Sequence, residues 1–342
     1  MKRVVMTAFL MSFFLFAFCF APIALLAAPY YEGKVLTIIV GHAAGGGYDR
    51  MSRLLAKHLP KYIPGKPSII IKQMTGGGTV IAANYVYNQA KPDGLTITAL
   101  DRGIGTRQLL QLQEVKYDFT KYAWIGNVSS EPTGLFLRGN LPYKTFNDLV
   151  KAKDKKIFLG ASGFGNYTAT LPLLIRDYLG LKIEIVTYPE ATATIMLAIE
   201  KGEVDGHYSA YSTYLPLIER GAVRPFCRGR AAPGIPEFDK LPIIDDLIAD
   251  PKAKGIIQIF SAVEVVARPY VAPPGTPEDV MTILRDAFAK VSKDKELLAE
   301  VEKQKMEYGF MTAGESLKIV NAYMSSPPEV MKEFKKYESE KR

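Results

Sequence analysis

Short β-branched apolar runs alternate with stretches of helical spacing along this chain, and glycine loops join several of the pairs. Val35–Val40 reads as a buried strand. A glycine loop follows, and Met51, Leu54, Leu55, His58, Leu59 and Tyr62 then recur at the spacing of an amphipathic helix. Residues 68–72 predict a second strand and 79–89, after another glycine loop, a second helix. Pro92-Asp93-Gly94 is a turn in which proline presets φ and glycine accepts a positive one. Residues 95–100 predict the third strand.

The pattern resumes after Trp124. Strands are expected at 156–160, 183–187, 204–209 and 223–227, and helices at 168–179, 190–201 and 211–220. Such alternation implies parallel sheets with helices on both faces. Two sets of it imply two α/β domains, in keeping with 342 residues. The last third is helical. Thr276, ahead of Pro277, and the pairs Thr312/Glu315 and Ser326/Glu329 predict helix caps.

A hydrophobic fraction of 48% excludes disorder as the main state. Cys19 and Cys227 are the only cysteines, so a disulfide scaffold is excluded, and His42, His58 and His207 lack ligand spacing, which argues against a metal site. Lys2 and Arg3 precede an uncharged apolar run from Val4 to Leu26 that closes at Ala27 and Ala28. Residues 1–28 therefore read as a secretory signal peptide. The run is also long enough for a membrane anchor, but Pro22 and the terminal alanines favour cleavage. An exported, periplasmic protein is expected. The net charge of +8 becomes +6 without Lys2 and Arg3. No basic run is interleaved with aromatics, so nucleic acid is not an expected partner.

Glycine loops carry the chemistry. Gly45-Gly46-Gly47-Tyr48-Asp49, Gly76-Gly77-Gly78-Thr79 and the stretch from Gly160 through Ser162, Gly163, Gly165 and Asn166 to Thr168 each open a predicted helix. Backbone N–H groups and the positive helix end suit an anion there. In open α/β sheets ligands sit outside the carboxyl ends of the strands. None of the loops completes G-x-G-x-x-G, because Arg50, Ile81 and Thr168 stand at the last glycine position, and no Walker-type loop exists. The loops therefore suit an anion, phosphate or carboxylate, without a dinucleotide fingerprint, and no cofactor is expected. A search for catalytic residues yields little. Cys227 sits in a strand-like run, and Asp205 with His207 on one strand face could form an acid–base pair, but no nucleophile or metal stands beside them.

Taken in order, Lys34 to Val40, Ala43-Ala44-Gly45-Gly46-Gly47-Tyr48-Asp49, Gly76-Gly77-Gly78-Thr79, Pro92-Asp93-Gly94, Trp124-Ile125-Gly126, Gly202-Glu203-Val204-Asp205 and Pro274-Gly275-Thr276-Pro277 resemble the solute-binding proteins of tripartite tricarboxylate transporters, the TctC-like or Bug family. The resemblance implies a two-domain α/β periplasmic-binding-protein clamp of type II kind, closing by hinge motion on a small organic carboxylate in the cleft between its domains. It implies delivery to the membrane permease subunits of such a transporter, by a monomer and without catalysis. Domain I would be 29–130 and 262–342, domain II 131–261, with hinge strands near Val128-Ser129-Ser130 and Phe260-Ser261. Carried over by motif, the ligand contacts would be Ala44, Gly45, Gly46, Gly47, Tyr48 and Asp49 on one side and Ser162, Gly163, Gly165, Asn166 and Thr168 on the other. Asp205 would meet a ligand amine, hydroxyl or water.

The chain departs from the family at Gly41-His42, at Tyr48, at Thr187-Tyr188-Pro189-Glu190 and at Asp101-Arg102. Tyr48 and Arg102 are expected to reshape the pocket, Arg102 either as partner for a second carboxylate or as a solvated rim residue. A secreted α/β enzyme acting on an anion, or a binding protein serving a signalling receptor, are the alternatives.

Overall fold

The computed structural model describes residues 28–188, 192–231 and 234–339. The expected signal segment therefore lies outside the described residues but for its last position, as do Pro189 and Glu190 and the end of the chain at Arg342. Among the described residues eleven strands form two sheets: β1 (Val35–Val40), β2 (Ser68–Gln73), β3 (Thr96–Ala99), β4 (Ala123–Asn127), β5 (Thr133–Arg138), β6 (Lys156–Ala161), β7 (Lys182–Thr187), β8 (Gly206–Ala210), β9 (Val223–Arg228), β10 (Pro269–Ala272) and β11 (Met311–Thr312). The first sheet runs β11-β4-β10-β3-β1-β2 and the second β7-β6-β8-β5-β9.

Strand alternation distributes each sheet between two cores. Leu36, Ile38 and Val40 pack with Met51, Leu54 and Leu55 of the helix Gly47–His58. Ile39, from the opposite face of β1, joins a core holding Val80 and Val86 of the helix Val80–Asn88 and Val320 of the helix Ala313–Met324. Helices thus cover both faces. The sheets are not purely parallel: β10 is antiparallel to β3 and β4, and β5 to β8 and β9. Both reversed strands are the first entered after the chain crosses between lobes.

The crossings bond to each other. Val128 N–H donates to Arg268 O at 3.2 Å, and Ala267 N–H to Ser129 O at 3.1 Å. The second crossing lies at 266–268, later than expected, because Phe260 and Ser261 are buried in the helix Pro251–Val265, whose cap is Asp250. The expected boundary at 262 thus falls within that helix. The end of the chain also departs from the expected division. Phe334 packs edge-on against Phe260 at 5.3 Å, Tyr178 Oη donates to Glu333 at 3.2 Å, and Gly165 N–H donates to Tyr337 O at 2.7 Å. Residues 328–339 therefore strap the second lobe.

The Thr312/Glu315 box forms, with Thr312 N–H on Glu315 at 2.9 Å. Thr276 and Ser326 are not caps. Each hydroxyl turns back to a carbonyl three residues earlier, Pro273 O at 2.8 Å and Tyr323 O at 2.6 Å. The extended residue before each helix is Pro277 or Pro327, which moves the cap position one residue along.

Candidate functional site

Asp101 starts the site. It follows β3, and its Oδ1 accepts Gly103 N–H at 2.8 Å, a local turn that fixes the base of Arg102. Across from it β6 ends at Ala161, and the loop folds on itself. Ser162 N–H donates to Thr168 Oγ1 at 3.1 Å, and Asn166 Oδ1 caps the helix Tyr167–Leu179 through Thr168 N–H at 3.0 Å. Gly165 takes φ +71°, a left-handed conformation that glycine adopts without cost, and so turns its N–H toward Tyr337. Between these two strand ends lies a cavity of about 460 Å³, bounded among others by Arg102, Thr106, Ser162, Gly165, Asn166 and Thr168. That is the size of a small-molecule site, and a helix N-terminus opens onto it.

Five of the expected ligand contacts, Arg102, Ser162, Gly165, Asn166 and Thr168, meet at this cavity. Ala44, Gly45, Gly46, Gly47, Tyr48, Asp49, Gly163 and Asp205 are not among its walls. Ala44, Gly45 and Gly46 are exposed at the carboxyl end of β1. Asp49 is buried and shapes that loop: it accepts Gly45 N–H at 2.8 Å, Arg53 Nε at 2.9 Å and Gln73 Nε2 at 2.6 Å. Burial opposes the charge of Asp49, but the bonds from Arg53 and the Gly45 amide hold its carboxyl below the usual range.

Three of the stretches that depart from the family pattern, at His42, Tyr48 and Asp101-Arg102, meet one another. His42 and Tyr48 stack with ring centroids 4.1 Å apart and planes 7° apart. His42 Nε2 lies 3.2 Å from Asp101, and Tyr48 Oη accepts Arg102 N–H at 3.0 Å while donating to Ala267 O at 2.7 Å. Desolvation pushes the Tyr48 phenol well above its ordinary value, so it remains a neutral tether between the loops and the second crossing. Arg102 donates through Nη2 to Tyr167 Oη at 2.7 Å, stacks 4.6 Å over that ring, and pairs through Nη1 with Glu131. Glu131 in turn accepts Arg268 Nη2 at 3.0 Å. Glu131, Tyr167 and Arg268 escaped sequence reasoning. The available signal was a charged residue beside a proline, Glu131-Pro132 and Arg268-Pro269, at both lobe crossings.

Asp205 has a different environment. Its Oδ1 accepts Arg138 Nη2 at 2.7 Å and its Oδ2 accepts Phe158 N–H at 2.9 Å, tying β5 to β6. Asp205→Ala is expected to lower stability by about 2 kcal/mol and leave carboxylate affinity within about twofold. A larger loss of affinity by calorimetry would return Asp205 to the ligand site. The conceivable acid–base pair does not form, since His207 Nδ1 bonds Tyr214 Oη at 2.8 Å and burial pushes the imidazole down to about 3. Burial also pushes the Cys227 thiol up to about 12, which leaves it protonated and unreactive. Among the described residues one cluster has metal-ligand proximity, His58, Asp294 and Glu296. The ammonium of Lys61 occupies it, 3.2 Å from His58, 3.2 Å from Asp294 and 2.6 Å from Glu296.

Two α/β lobes joined by paired crossings, with a cavity at facing strand ends, make this a periplasmic-binding-protein fold. The chain belongs to the TctC family, described as the tripartite tricarboxylate transporter family receptor, whose model matches residues 51–334. A TctC solute-binding protein from Polaromonas superimposes with a TM-score of 0.70 at 20% identity, over 90% of this chain and 99% of that one. MatC from Rhodopseudomonas palustris, with bound malate, gives 0.64 at 20% identity over 87% and 99%. Rpa4515 of R. palustris, with adipate, gives 0.66 at 22% over 89% and 98%. Proteins of this family are periplasmic solute-binding proteins. No helix among the described residues is long and apolar enough to cross a membrane.

Proposed function

We propose that this protein captures a small organic carboxylate between its lobes and hands it to the permease subunits of a tripartite tricarboxylate transporter, as a monomer freed of its signal segment. The cavity at the facing ends of β3 and β6 carries this reading: it unites a helix N-terminus, the hydroxyls of Ser162 and Thr168 and the guanidinium of Arg102. These donors suit carboxylate oxygens. At the end of β1, Ala44 and Gly47 supply further amides when the lobes close, those of Gly45 and Gly46 being held by Asp49 and Ala43. Malate and adipate, bound by two structural neighbours, belong to the same chemical class.

A thermal-shift screen of refolded protein against carboxylates, inorganic phosphate and nucleotides tests the reading. A ligand at about a hundred times its dissociation constant adds about 2.7 kcal/mol, a rise of at least a few degrees for a chain of this size. Shifts with carboxylates are expected. Shifts with phosphate or nucleotides alone would overturn it.

A further inference from the structure

We propose that Glu131 is a resident stand-in for a ligand carboxylate, and that a ligand bearing a second anionic group takes Arg102 over from it, Arg268 holding Glu131 meanwhile. The inference rests on the carboxylate-binding reading above and adds the residues that discriminate between ligands. Its basis is one carboxylate shared by two guanidinium groups. Glu131 contacts Arg102 Nη1 on one oxygen and Arg268 Nη2 on the other, the latter at 3.0 Å.

The two arginines differ in environment. Arg268 is 5% exposed and anchored on the crossing by Ser129 Oγ at 3.1 Å and Glu307 O at 3.4 Å. It packs so closely beneath the first glycine loop that a Cβ on Gly47 would lie 2.9 Å from its Nη2. Arg102 borders the cavity, and its other amino group reaches across to Tyr167 on the second lobe. Of the two guanidinium groups that share Glu131, Arg102 is therefore the one within reach of a ligand, and Arg268 is the fixed one.

That asymmetry makes the exchange feasible. Breaking an isolated buried ion pair strands a charge and is strongly disfavoured. Here Glu131 keeps Arg268 when Arg102 leaves, and Arg102 gains a ligand carboxylate in its place. The guanidinium can keep its stack on Tyr167 throughout, so the same contact joins ligand capture to lobe closure.

Calorimetric titration of the mature chain with succinate and adipate, against butyrate and hexanoate as single-carboxylate matches, tests the proposal. Glu131→Gln removes the competitor and is expected to tighten the dicarboxylates by about tenfold, whereas Arg102→Gln is expected to weaken them by about tenfold and the monocarboxylates by clearly less. Circular dichroism melts establish that each variant is folded; should Glu131→Gln fail to fold, the Arg102→Gln comparison decides alone. Dicarboxylate binding unchanged or weakened in Glu131→Gln, or equal losses for both ligand classes in Arg102→Gln, would overturn the exchange while leaving the carboxylate reading intact. A wild-type protein that bound none of the four acids would overturn the exchange, and the carboxylate reading too if the thermal-shift screen found no other carboxylate.

Discussion

Raising the pH from about 5 to about 8 is expected to cost this protein about 3 kcal/mol of stability through one side chain, Glu264. Burial within the hinge-side helix is the main cause, pushing its carboxyl up from 4.5 to about 7. Bonds from Thr133 Oγ1 and the Ala231 amide and the charge of Arg102 pull the other way, and Asp245 adds to the rise. Between those two values the unfolded chain has released this proton and the folded chain retains it. The folded state then binds more protons, so stability is greatest below the ordinary carboxyl value, falls as pH rises, and levels off above about 7. Glu264→Gln should flatten this slope, because an amide can serve the Ala231 N–H and Thr133 hydroxyl without a charge to desolvate. Urea unfolding of both proteins at about pH 5 and about pH 8 measures the difference; equal slopes would show that Glu264 is not the source. The position bears on function, since Glu264 O accepts the N–H of Glu131 at 2.8 Å, at the lobe crossing itself.

Much of the fold was legible because its signals are local. The strand Val35–Val40 and the helix Tyr167–Leu179 follow from β-branched runs, glycine punctuation and capping within a dozen residues. The reversed strands were harder. A proline precedes β5 and opens β10, and both strands acquire their direction only from chain crossings made far away in sequence. The hinge was misplaced for a related reason: Phe260 and Ser261 look like a strand when read alone but continue the buried face of a helix capped at Asp250.

The site divides along the same line. Ser162, Asn166 and Thr168 were readable as a loop opening a helix, and Arg102 as a charge in an unusual place. Their partners were not readable, because Glu131 and Arg268 are 137 residues apart and meet only where two crossings run side by side. Asp205 shows the converse. A carboxylate that locks a strand and one that meets a ligand present the same letters, and only the positions of Arg138 and Phe158 separate them.

The neighbouring glycine yields the other large effect. Gly206→Ala is expected to cost about 3 kcal/mol or more. Gly206 opens β8, where it pairs with Leu137 of β5 on one side and Leu159 of β6 on the other. A Cβ there would stand 2.1 Å from the carbonyl oxygen of Phe136 and 3.0 Å from Leu137 Cα. The first of these obstacles is backbone within a hydrogen-bonded ladder, so no rotamer change relieves it, and β5 must move away from β8. Phe136, stacked 4.8 Å from Tyr214, would shift with it. The expected result is a lowered urea midpoint with an unchanged slope, since the surface exposed on unfolding is the same. A variant within about 1 kcal/mol of wild type would mean that the β5–β8 pairing yields easily. If the effect appears, the Asp205-Gly206 pair is an element of sheet construction: the aspartate ties β5 to β6 across the end of β8, and the glycine lets β5 approach β8 closely enough for the tie to form.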